Sequence, residues 1–424
     1  MNRTEICGGI NLTSLQNQRF KTSALSVNFV VPLRSETASC YGLIPYVLKR
    51  GSSEHGSMEE ITRALGELYG ATIDPYVRKK GEKQIISFVS TFVDSKYLPA
   101  GGDDQLGSVA ALLFELLLSP DLESGSFVRE SLKSECFNQI DRINAENDDK
   151  REYARRRLIE SMCAGEPFSI HRLGNVSNID GMTSRSLYSR YLSFIQNAGV
   201  EIFYSGPKDA GEVRDTIGRL CSLEARRPEI VSDIVKGSAG QVTEVSERMA
   251  ITQDKLVLGF RTGLTSSDAG YPAMMLLNAV FGGSVSSKLF MNVREKLSLC
   301  YYASSYVDPR KGILVVDSGV NAGGVEPARA EILKQLEECK NGPISADELE
   351  SARLTVVNSL KSLADSLYFT EDYWLSQAVA GTMKEPAQII KEIEALGVDD
   401  VSDAARRVVL DTVYHLAGNE VTGV

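Results

Sequence analysis

One order of predicted secondary structure occurs twice along the chain, and this repeat constrains the fold more than any other feature of the sequence. Alternating apolar residues predict first-half strands at Leu25–Val31, Ile86–Val93 and Val200–Tyr204. The second half carries the corresponding strands at Leu256–Phe260, at Ile313–Val316 with Val320, and at Thr412–Leu416. In both halves, segments with apolar residues at helical spacing separate the strands. The repeat therefore predicts an internal duplication.

Helices of the second half carry recognisable start signals. Tyr271–Phe281 has the composition of a buried helix, with Pro272 in the first turn, where proline is tolerated. Ser345 and Glu348 have the spacing of a capping box, which predicts the start of a long helix. Strand pairs mixed with several long helices favour an α+β fold. We therefore predict an α+β protein built from two duplicated, homologous α/β-sandwich domains.

The length of the chain also favours two domains. A chain of 424 residues is too long for one hydrophobic core. Residues 224–247 carry Pro228, Gly237 and Gly240 and show little apolar periodicity, which is typical of a linker. We therefore predict an N-terminal domain at residues 1–223, a linker at 224–247 and a C-terminal domain at 248–424.

The charge balance argues against a nucleic-acid partner. The formal net charge is −10, and proteins that rely on phosphate attraction are usually basic. One basic stretch runs from Lys150 to Arg157 within a helical pattern. We expect this stretch to form a solvated helix face.

The cysteines and the apolar runs indicate the cellular compartment of the protein. Seven cysteines are scattered without any C-x-x-C pair, which suits free thiols in a reducing cytosol. No apolar run approaches the ~20 residues that cross a bilayer. The N-terminal sequence MNRTEICGGINL has no apolar core of signal-peptide length. We therefore expect a cytoplasmic protein with no membrane association.

Arg294 and Tyr301 form the most suggestive chemical pair in the sequence. They lie seven residues apart, where a short helix is predicted to lead into a strand. Arginine offers a charged planar fork and tyrosine a neutral donor, a pair suited to a peptide carbonyl or its oxyanion. From spacing alone, an alternative stays open in which Arg294 pairs with a nearby carboxylate and Tyr301 packs in the core.

The context of this pair resembles a known family. Gly282-Gly283 is followed by Ser286-Ser287-Lys288-Leu289-Phe290, then by Arg294-Glu295-Lys296 and Tyr301. This four-part spacing is similar to the second-domain signature of the pitrilysin/insulinase zinc peptidases, which include the mitochondrial processing peptidases. The resemblance covers essentially the whole chain and implies two sandwich domains of the processing-peptidase-like metallohydrolase type. It also implies that Arg294 and Tyr301 bind substrate carbonyl groups.

Active members of that family carry an inverted zinc motif, H-x-x-E-H, in the first domain. Two histidines on one helix face hold zinc, and the glutamate activates the metal-bound water. This chain has only His55, His171 and His415, so no two histidines are four residues apart. The motif is therefore absent from the sequence.

The resemblance also places the lost zinc ligands. When the chain is aligned by Tyr41-Gly42-Leu43, the three motif positions fall on Pro45, Leu48 and Lys49, none of which supports this chemistry. The position of a more distal glutamate ligand falls between Phe137 and Arg142, and a shift to Glu135 stays open. We therefore expect a degenerate zinc site in the first domain, with no metal and no cofactor.

Other catalytic sites have little support in the sequence. Glu59 and Glu60, near His55, fit the first turn of a helix and its dipole. His171 and His415 are isolated, and we expect both to be structural. No G-x-S-x-G motif is present, and no cysteine has a histidine nearby in the sequence.

These features lead to one principal hypothesis about function. We expect a non-catalytic, substrate-binding subunit that pairs with an active H-x-x-E-H paralogue and helps to enclose a peptide. A homodimer is an open alternative to the heterodimer. Two alternative functions also stay open: a peptidase with a metal site or nucleophile foreign to the family, and a stand-alone peptide-binding scaffold.

Overall fold

The computed structural model describes residues 1–99, 104–321 and 323–418. These residues form two compact units, each assembled from separate parts of the chain. The first unit comprises Met1–Asn144, Ile170–Ser232 and Ala364–Val379. The second unit comprises the described residues of Ala145–Ser169, Asp233–Leu363 and Ala380–Val424.

The strands follow the repeat predicted from the sequence. The first-unit strands are β1 (Asn2–Cys7), β2 (Ile10–Gln16), β3 (Thr22–Pro32), β4 (Thr72–Lys80), β5 (Lys83–Val93), β6 (Leu122–Glu123), β7 (Ser126–Phe127) and β8 (Gly199–Gly206). The second-unit strands are β9 (Thr243–Met249), β10 (Asp254–Arg261), β11 (Cys300–Asp308), β12 (Ile313–Val320) and β13 (Val409–Gly418). Strand β9 begins inside the segment predicted as a linker.

The helices occupy the intervals between these strands. The first half of the chain carries α1 (Ser35–Leu48), α2 (Met58–Glu67), α3 (Gln105–Leu118), α4 (Arg129–Asp148), α5 (Lys150–Met162), α6 (Val176–Asp180), α7 (Ser184–Asn197) and α8 (Ala210–Leu220). The second half carries α9 (Tyr271–Phe281), α10 (Val325–Asn341), α11 (Ala346–Ser362), α12 (Leu367–Ala380), α13 (Pro386–Glu394) and α14 (Val398–Arg406). No helix in the described part of the chain combines the length and apolar character that crossing a bilayer requires.

The two main sheets share one topology. The first-unit sheet has the order β1-β2-β8-β3-β5-β4, and the second has β11-β12-β10-β13-β9. When β1 is left out and the second sheet is read from its other edge, the orders are β2-β8-β3-β5-β4 and β9-β13-β10-β12-β11. Each strand of the first sheet then corresponds to the strand at the same place in the second. The parallel pair is also equivalent, β2 with β8 in the first unit and β9 with β13 in the second. The predicted α+β fold with two homologous sandwich domains is therefore confirmed.

Alternating apolar residues build the core of each unit. Leu25, Val27 and Phe29 of β3 are fully buried on the face that α1 and α3 cover. Strand β12 is buried along its whole length. Its Leu314 and Val316 belong to the main second-unit core, while Ile313 and Val315 face a smaller apolar cluster. The second sheet therefore has apolar packing on both faces.

The smaller cluster on the second sheet is formed by α5, a helix from the first half of the chain. Its Leu158 and Met162 pack with Val257 and Val315 of the sheet. In the same way, α12 comes from the second half of the chain but lies within the first unit. The sequence reveals helix α5 by its periodicity but not the sheet on which it packs. The predicted partition at residues 224–247 stays a prediction, while the compact units are discontinuous.

The basic stretch on α5 is largely ion-paired, so the prediction of a solvated helix face is wrong. Arg151 and Arg155 both contact Asp317 of β12, whose side chain is 2% exposed. The Nε of Arg157 donates to Glu247 of β9 at 2.8 Å. A buried carboxylate needs charged partners nearby, and the linear sequence does not show which helix will supply them.

A buried carboxylate also fixes α12 on the first sheet. Glu371 has no exposed surface. It accepts hydrogen bonds from Ser26 Oγ at 2.8 Å, Asn28 Nδ2 at 3.1 Å and Arg78 Nη1 at 2.6 Å. These partners lie on β3 and β4, so one side chain joins the helix to two strands.

Replacement of Glu371 by alanine is expected to lower the free energy of unfolding by about 3–5 kcal/mol, because Arg78 loses its buried partner and keeps only the 3.1 Å contact with the partly exposed Asp372. Asp365→Ala is the matched control, since Asp365 and Arg19 form an exposed pair whose loss costs about 0–1 kcal/mol. Urea denaturation of both variants measures the difference. Equal losses for the two variants would contradict the role given to Glu371.

Glu247 should make the stability of the protein sensitive to acid. Burial alone would raise the pKa of Glu247, but hydrogen bonds from Arg157, Tyr153 and Tyr414 outweigh burial and lower it. A carboxylate with a lowered pKa stabilises the fold above its unfolded-state pKa, and this stabilisation is lost as pH falls through the folded-state value.

The Glu247→Gln variant is therefore expected to be less stable than the wild type at pH 7 by about 1.5–3 kcal/mol. The difference should shrink in acid, where the wild-type carboxylate is itself protonated. Denaturant titrations from neutral pH down through the acid limb measure this convergence. A difference that stays constant over the acid range would disprove the assignment.

Candidate functional site

Arg294 and Tyr301 lie on an irregular stretch of backbone in the second unit. Residues Leu289–Lys296 form a π-helix, which ends with a hydrogen bond from the Leu297 N–H to the Asn292 carbonyl at 3.2 Å. Ser298 has a φ of 49°, a left-handed conformation that is uncommon for serine. Such irregular segments are frequent at functional sites.

The strand that follows contains a second irregularity. In the pairing of β11 with β12, Cys300 lies opposite Val320 and Tyr302 lies opposite Gly319. Tyr301 is therefore an extra residue in a β-bulge on an edge strand. A bulge redirects the side chain it carries, and Tyr301 is 64% exposed.

The Gly-Gly and Ser-Ser-Lys part of the motif supports this backbone. A Cβ atom at Gly282 would lie 2.7 Å from Leu289 Cδ1 and 2.9 Å from the Ser305 nitrogen, so only glycine fits. The Lys288 Nζ lies 2.8 Å from Glu348, the capping residue of α11. Burial would raise the pKa of Glu348, but hydrogen bonds with Lys288 and Ser345 lower it. These residues fix the position of the π-helix.

The sequence left open an alternative in which Arg294 pairs with a nearby carboxylate and Tyr301 packs in the core. The surroundings of the two side chains exclude the second part of this alternative. The proposal that Tyr301 packs in the core is wrong, because most of its surface is exposed. Arg294 lies over the ring of Phe290, with 4.6 Å from Cζ to the ring centroid. Its Nε is 3.5 Å from Glu295, and both side chains are more than 40% exposed. An exposed pair of this length contributes little, and the substrate-binding role stays a prediction.

The three positions assigned to the lost zinc motif lie at the end of α1 in the first unit. Pro45 is buried inside the helix. Leu48 is fully buried in the apolar core. Lys49 is the C-cap of the helix, and its Nζ lies 2.7 Å from Asp74 of β4. Their correspondence to zinc-ligand positions stays a prediction, and Lys49 lines a cavity.

This cavity, which we call the α1–α4 cavity, has a volume of about 330 Å³. It lies among the end of α1, strand β4 and helix α4. Its walls combine apolar, phenolic and charged side chains, namely Tyr46, Lys49, Arg50, Met58, Asp74, Pro75, Tyr76, Glu135 and Arg142. Burial raises the pKa of Tyr46, so its phenol remains a neutral donor.

Glu135, the residue left open as a distal ligand, is fully engaged with cations. Its side chain is 6% exposed. Arg50 donates to Oε1 from Nε at 2.7 Å and also from Nη2. Asn138 donates to the same oxygen at 3.1 Å, and Arg142 Nη2 donates to Oε2 at 3.3 Å. The guanidinium of Arg142 lies on the Tyr46 ring, with Cζ 3.7 Å from the centroid.

A zinc ion does not fit these residues. Protein zinc sites use histidine, cysteine or free carboxylate ligands in tetrahedral geometry. Here two guanidinium groups occupy the oxygens of Glu135, and a lysine lies beside them. Within residues 1–99, 104–321 and 323–418, no group of three histidine, cysteine, aspartate or glutamate side chains could hold a metal ion.

The structure shows a contact face along α1 and the turn after it that sequence reasoning missed. Gly42, Tyr46 and Arg50 are four residues apart and contact Gln139, Arg142 and Glu135 respectively. A Cβ atom at Gly42 would lie 3.0 Å from Gln139 Nε2. The spacing of four was visible in the sequence, but the identity of the facing helix was not.

Two of the three histidines lie beside carboxylates. His55 Nδ1 is 2.9 Å from Glu115, and Glu59 and Glu60 lie in the first turn of α2 as predicted. His415 Nε2 is 2.9 Å from Asp254, between β13 and β10.

Comparison with known proteins agrees with these features. The sequence model of the family described as "Peptidase M16 inactive domain" matches residues 181–356. A Bacillus subtilis protein named "Probable inactive metalloprotease YmfF" is 32% identical over 416 residues, covering 97% of each chain. A second Bacillus subtilis protein, "Uncharacterized zinc protease YmxG", is 30% identical over 170 residues, which are 39% of this chain and 41% of that protein.

Solved structures show the same fold. A conserved protein from Enterococcus faecalis V583 is 26% identical with a TM-score of 0.91, and the match covers 100% of this chain and 99% of that one. A structure described as a peptidase M16 inactive domain from Pseudomonas fluorescens has a TM-score of 0.80 at 16% identity, covering 100% and 99%. The near-complete match to the 32% identical relative shows that this chain, which lacks H-x-x-E-H, belongs to the peptidase M16 family.

Proposed function

We propose that this chain is the non-catalytic, substrate-binding subunit of an M16-type peptidase complex. In this proposal it pairs with an H-x-x-E-H paralogue in the cytoplasm, and the two chains enclose a peptide that the paralogue cleaves. The observation that carries the proposal is the exposure of Arg294 and Tyr301 on an irregular backbone, in a chain whose α1–α4 cavity holds cations instead of metal ligands.

The chemistry of the pair suits a peptide main chain. The Arg294 guanidinium provides several N–H donors in a plane, and the Tyr301 hydroxyl provides one more. Neither group is committed to a buried partner: Arg294 meets the exposed Glu295, and Tyr301 points into solvent. Carbonyl oxygens of an extended peptide are acceptors that both groups can bind. Recognition through main-chain atoms would tolerate varied peptide sequences.

The relatives support a division of labour between two chains. One similar protein of Bacillus subtilis is named an inactive metalloprotease, and another from the same organism is named a zinc protease. Two types of M16 relative, with and without a named zinc activity, therefore occur in a single organism. A paralogue of the second type is the partner that the proposal requires.

Reconstitution with an H-x-x-E-H paralogue from the same genome tests the proposal. The mixed chains are expected to form a heterodimer that hydrolyses a quenched fluorescent peptide faster than the paralogue alone. Arg294→Ala and Tyr301→Phe should each weaken peptide binding by roughly 5- to 150-fold, because each removes about 1–3 kcal/mol of hydrogen bonding. Titration of the peptide into the complex measures the change.

Two surface substitutions provide the matched controls. Arg406→Ala removes an exposed arginine, and Tyr97→Phe alters an exposed tyrosine, and neither should change peptide binding. Unchanged affinity in both Arg294→Ala and Tyr301→Phe would contradict the substrate-binding role. Peptide binding by this chain without any heterodimer would instead support a stand-alone scaffold or a homodimer.

A further inference from the structure

The charges that line the α1–α4 cavity do not cancel. Three cationic side chains, Lys49, Arg50 and Arg142, face two carboxylates, Asp74 and Glu135. The inner carboxylate, Glu135, is shared by both guanidinium groups. The wall therefore carries one positive charge more than its own carboxylates neutralise.

Lys49 is held less firmly than the two arginines. Its partner Asp74 has a side chain that is 46% exposed, whereas Glu135 is 6% exposed. Ion pairs with an exposed member contribute little to stability, so Lys49 can exchange Asp74 for another anion at small cost.

Arg142 also retains unused capacity to donate hydrogen bonds. One guanidinium nitrogen, Nη2, donates to Glu135. The other terminal nitrogen, Nη1, is buried and has no hydrogen-bond partner among the described residues. A buried donor without a partner is costly, and an anionic acceptor would remove that cost. Arg142 itself lines the cavity in which such an acceptor would bind.

The remaining walls define the size and shape of the ligand. Met58, Pro75 and Tyr76 supply apolar surface beside the cations. A volume of about 330 Å³ lies at the small end of ligand sites. This space suits one amino-acid side chain or chain terminus, with its methylene groups against the apolar wall.

We propose that the α1–α4 cavity binds a carboxylate group of the peptide substrate, with Lys49 and Arg142 as its donors. The ligand is the side chain of an acidic residue or the C-terminal carboxylate of the peptide. One bound carboxylate makes the number of anions equal to the number of cations. This inference rests on the proposed function for its peptide, and it names the chemical class that the peptide must contain.

Small probes test this inference on the full-length chain without any paralogue. N-acetylglutamate α-amide presents an acidic side chain, and N-acetylalanine presents a terminal carboxylate. Their neutral counterparts are N-acetylglutamine α-amide and N-acetylalanine amide. Saturation-transfer NMR titrations are expected to show saturable binding of at least one acid, with its neutral counterpart weaker by roughly tenfold or more. The acid that binds identifies the source of the carboxylate.

Substitutions then connect the binding to the cavity. Lys49→Met and Arg142→Gln should each lower the affinity for the acid that binds by roughly tenfold, which corresponds to about 1.4 kcal/mol of binding free energy. Arg63→Gln, which changes an exposed arginine of α2, is the matched control and should bind as the wild type does. Because Arg142 also contacts Glu135, urea denaturation verifies that the Arg142→Gln variant is folded, and Lys49→Met provides an independent variant.

Equal binding of acid and amide, or wild-type affinity in both cavity variants, would overturn the carboxylate site. The Arg294→Ala and Tyr301→Phe variants should bind the small probes normally, because neither residue is among those that line the cavity. If the probes fail while the reconstituted complex still depends on Arg294 and Tyr301, this inference alone is lost.

Discussion

The pairing of Glu135 with Arg50 and Arg142 governs the chemistry available to the first unit. Burying a carboxylate that is 6% exposed is costly unless charged partners face it, and here two guanidinium groups with permanent charge do so. Their N–H groups occupy both oxygens of the carboxylate. The pairing joins the end of α1 to α4, and its two permanent positive charges disfavour a metal cation at the carboxylate. Fixed cations in this place favour anionic ligands over positively charged ones.

The two units therefore have the same topology and different surface chemistry. The first unit has an inward-facing cluster of charges around a small cavity. The second unit presents an arginine and a tyrosine on a π-helix and a β-bulge. Under the two proposals, the first arrangement binds a carboxylate of the peptide and the second binds its carbonyl groups. The proposed function assigns substrate binding to this chain and hydrolysis to its partner.

Much of the fold was predictable because burial leaves periodic patterns in the sequence. The alternation at Leu25–Val31 placed β3, and the capping box of Ser345 and Glu348 placed the start of α11. Strand β4 escaped prediction because Pro75 and a run of charged residues interrupt its pattern at the sheet edge. The packing of α5 on the second sheet and of α12 in the first unit was also unpredictable, since helical periodicity does not specify the partner.

The candidate site was predictable only where a motif carried it. Arg294 and Tyr301 were identified from their context, but their exposure depends on a π-helix and a bulge that no local pattern indicated. The roles of Arg50 and Arg142 depend on contacts with Glu135, which lies 85 and 7 positions away from them in the sequence.

Elemental analysis of the purified full-length chain tests most directly the claim that its zinc site is lost. We predict no stoichiometric zinc after dialysis against a zinc-containing buffer, and one equivalent of bound zinc per chain would contradict the account.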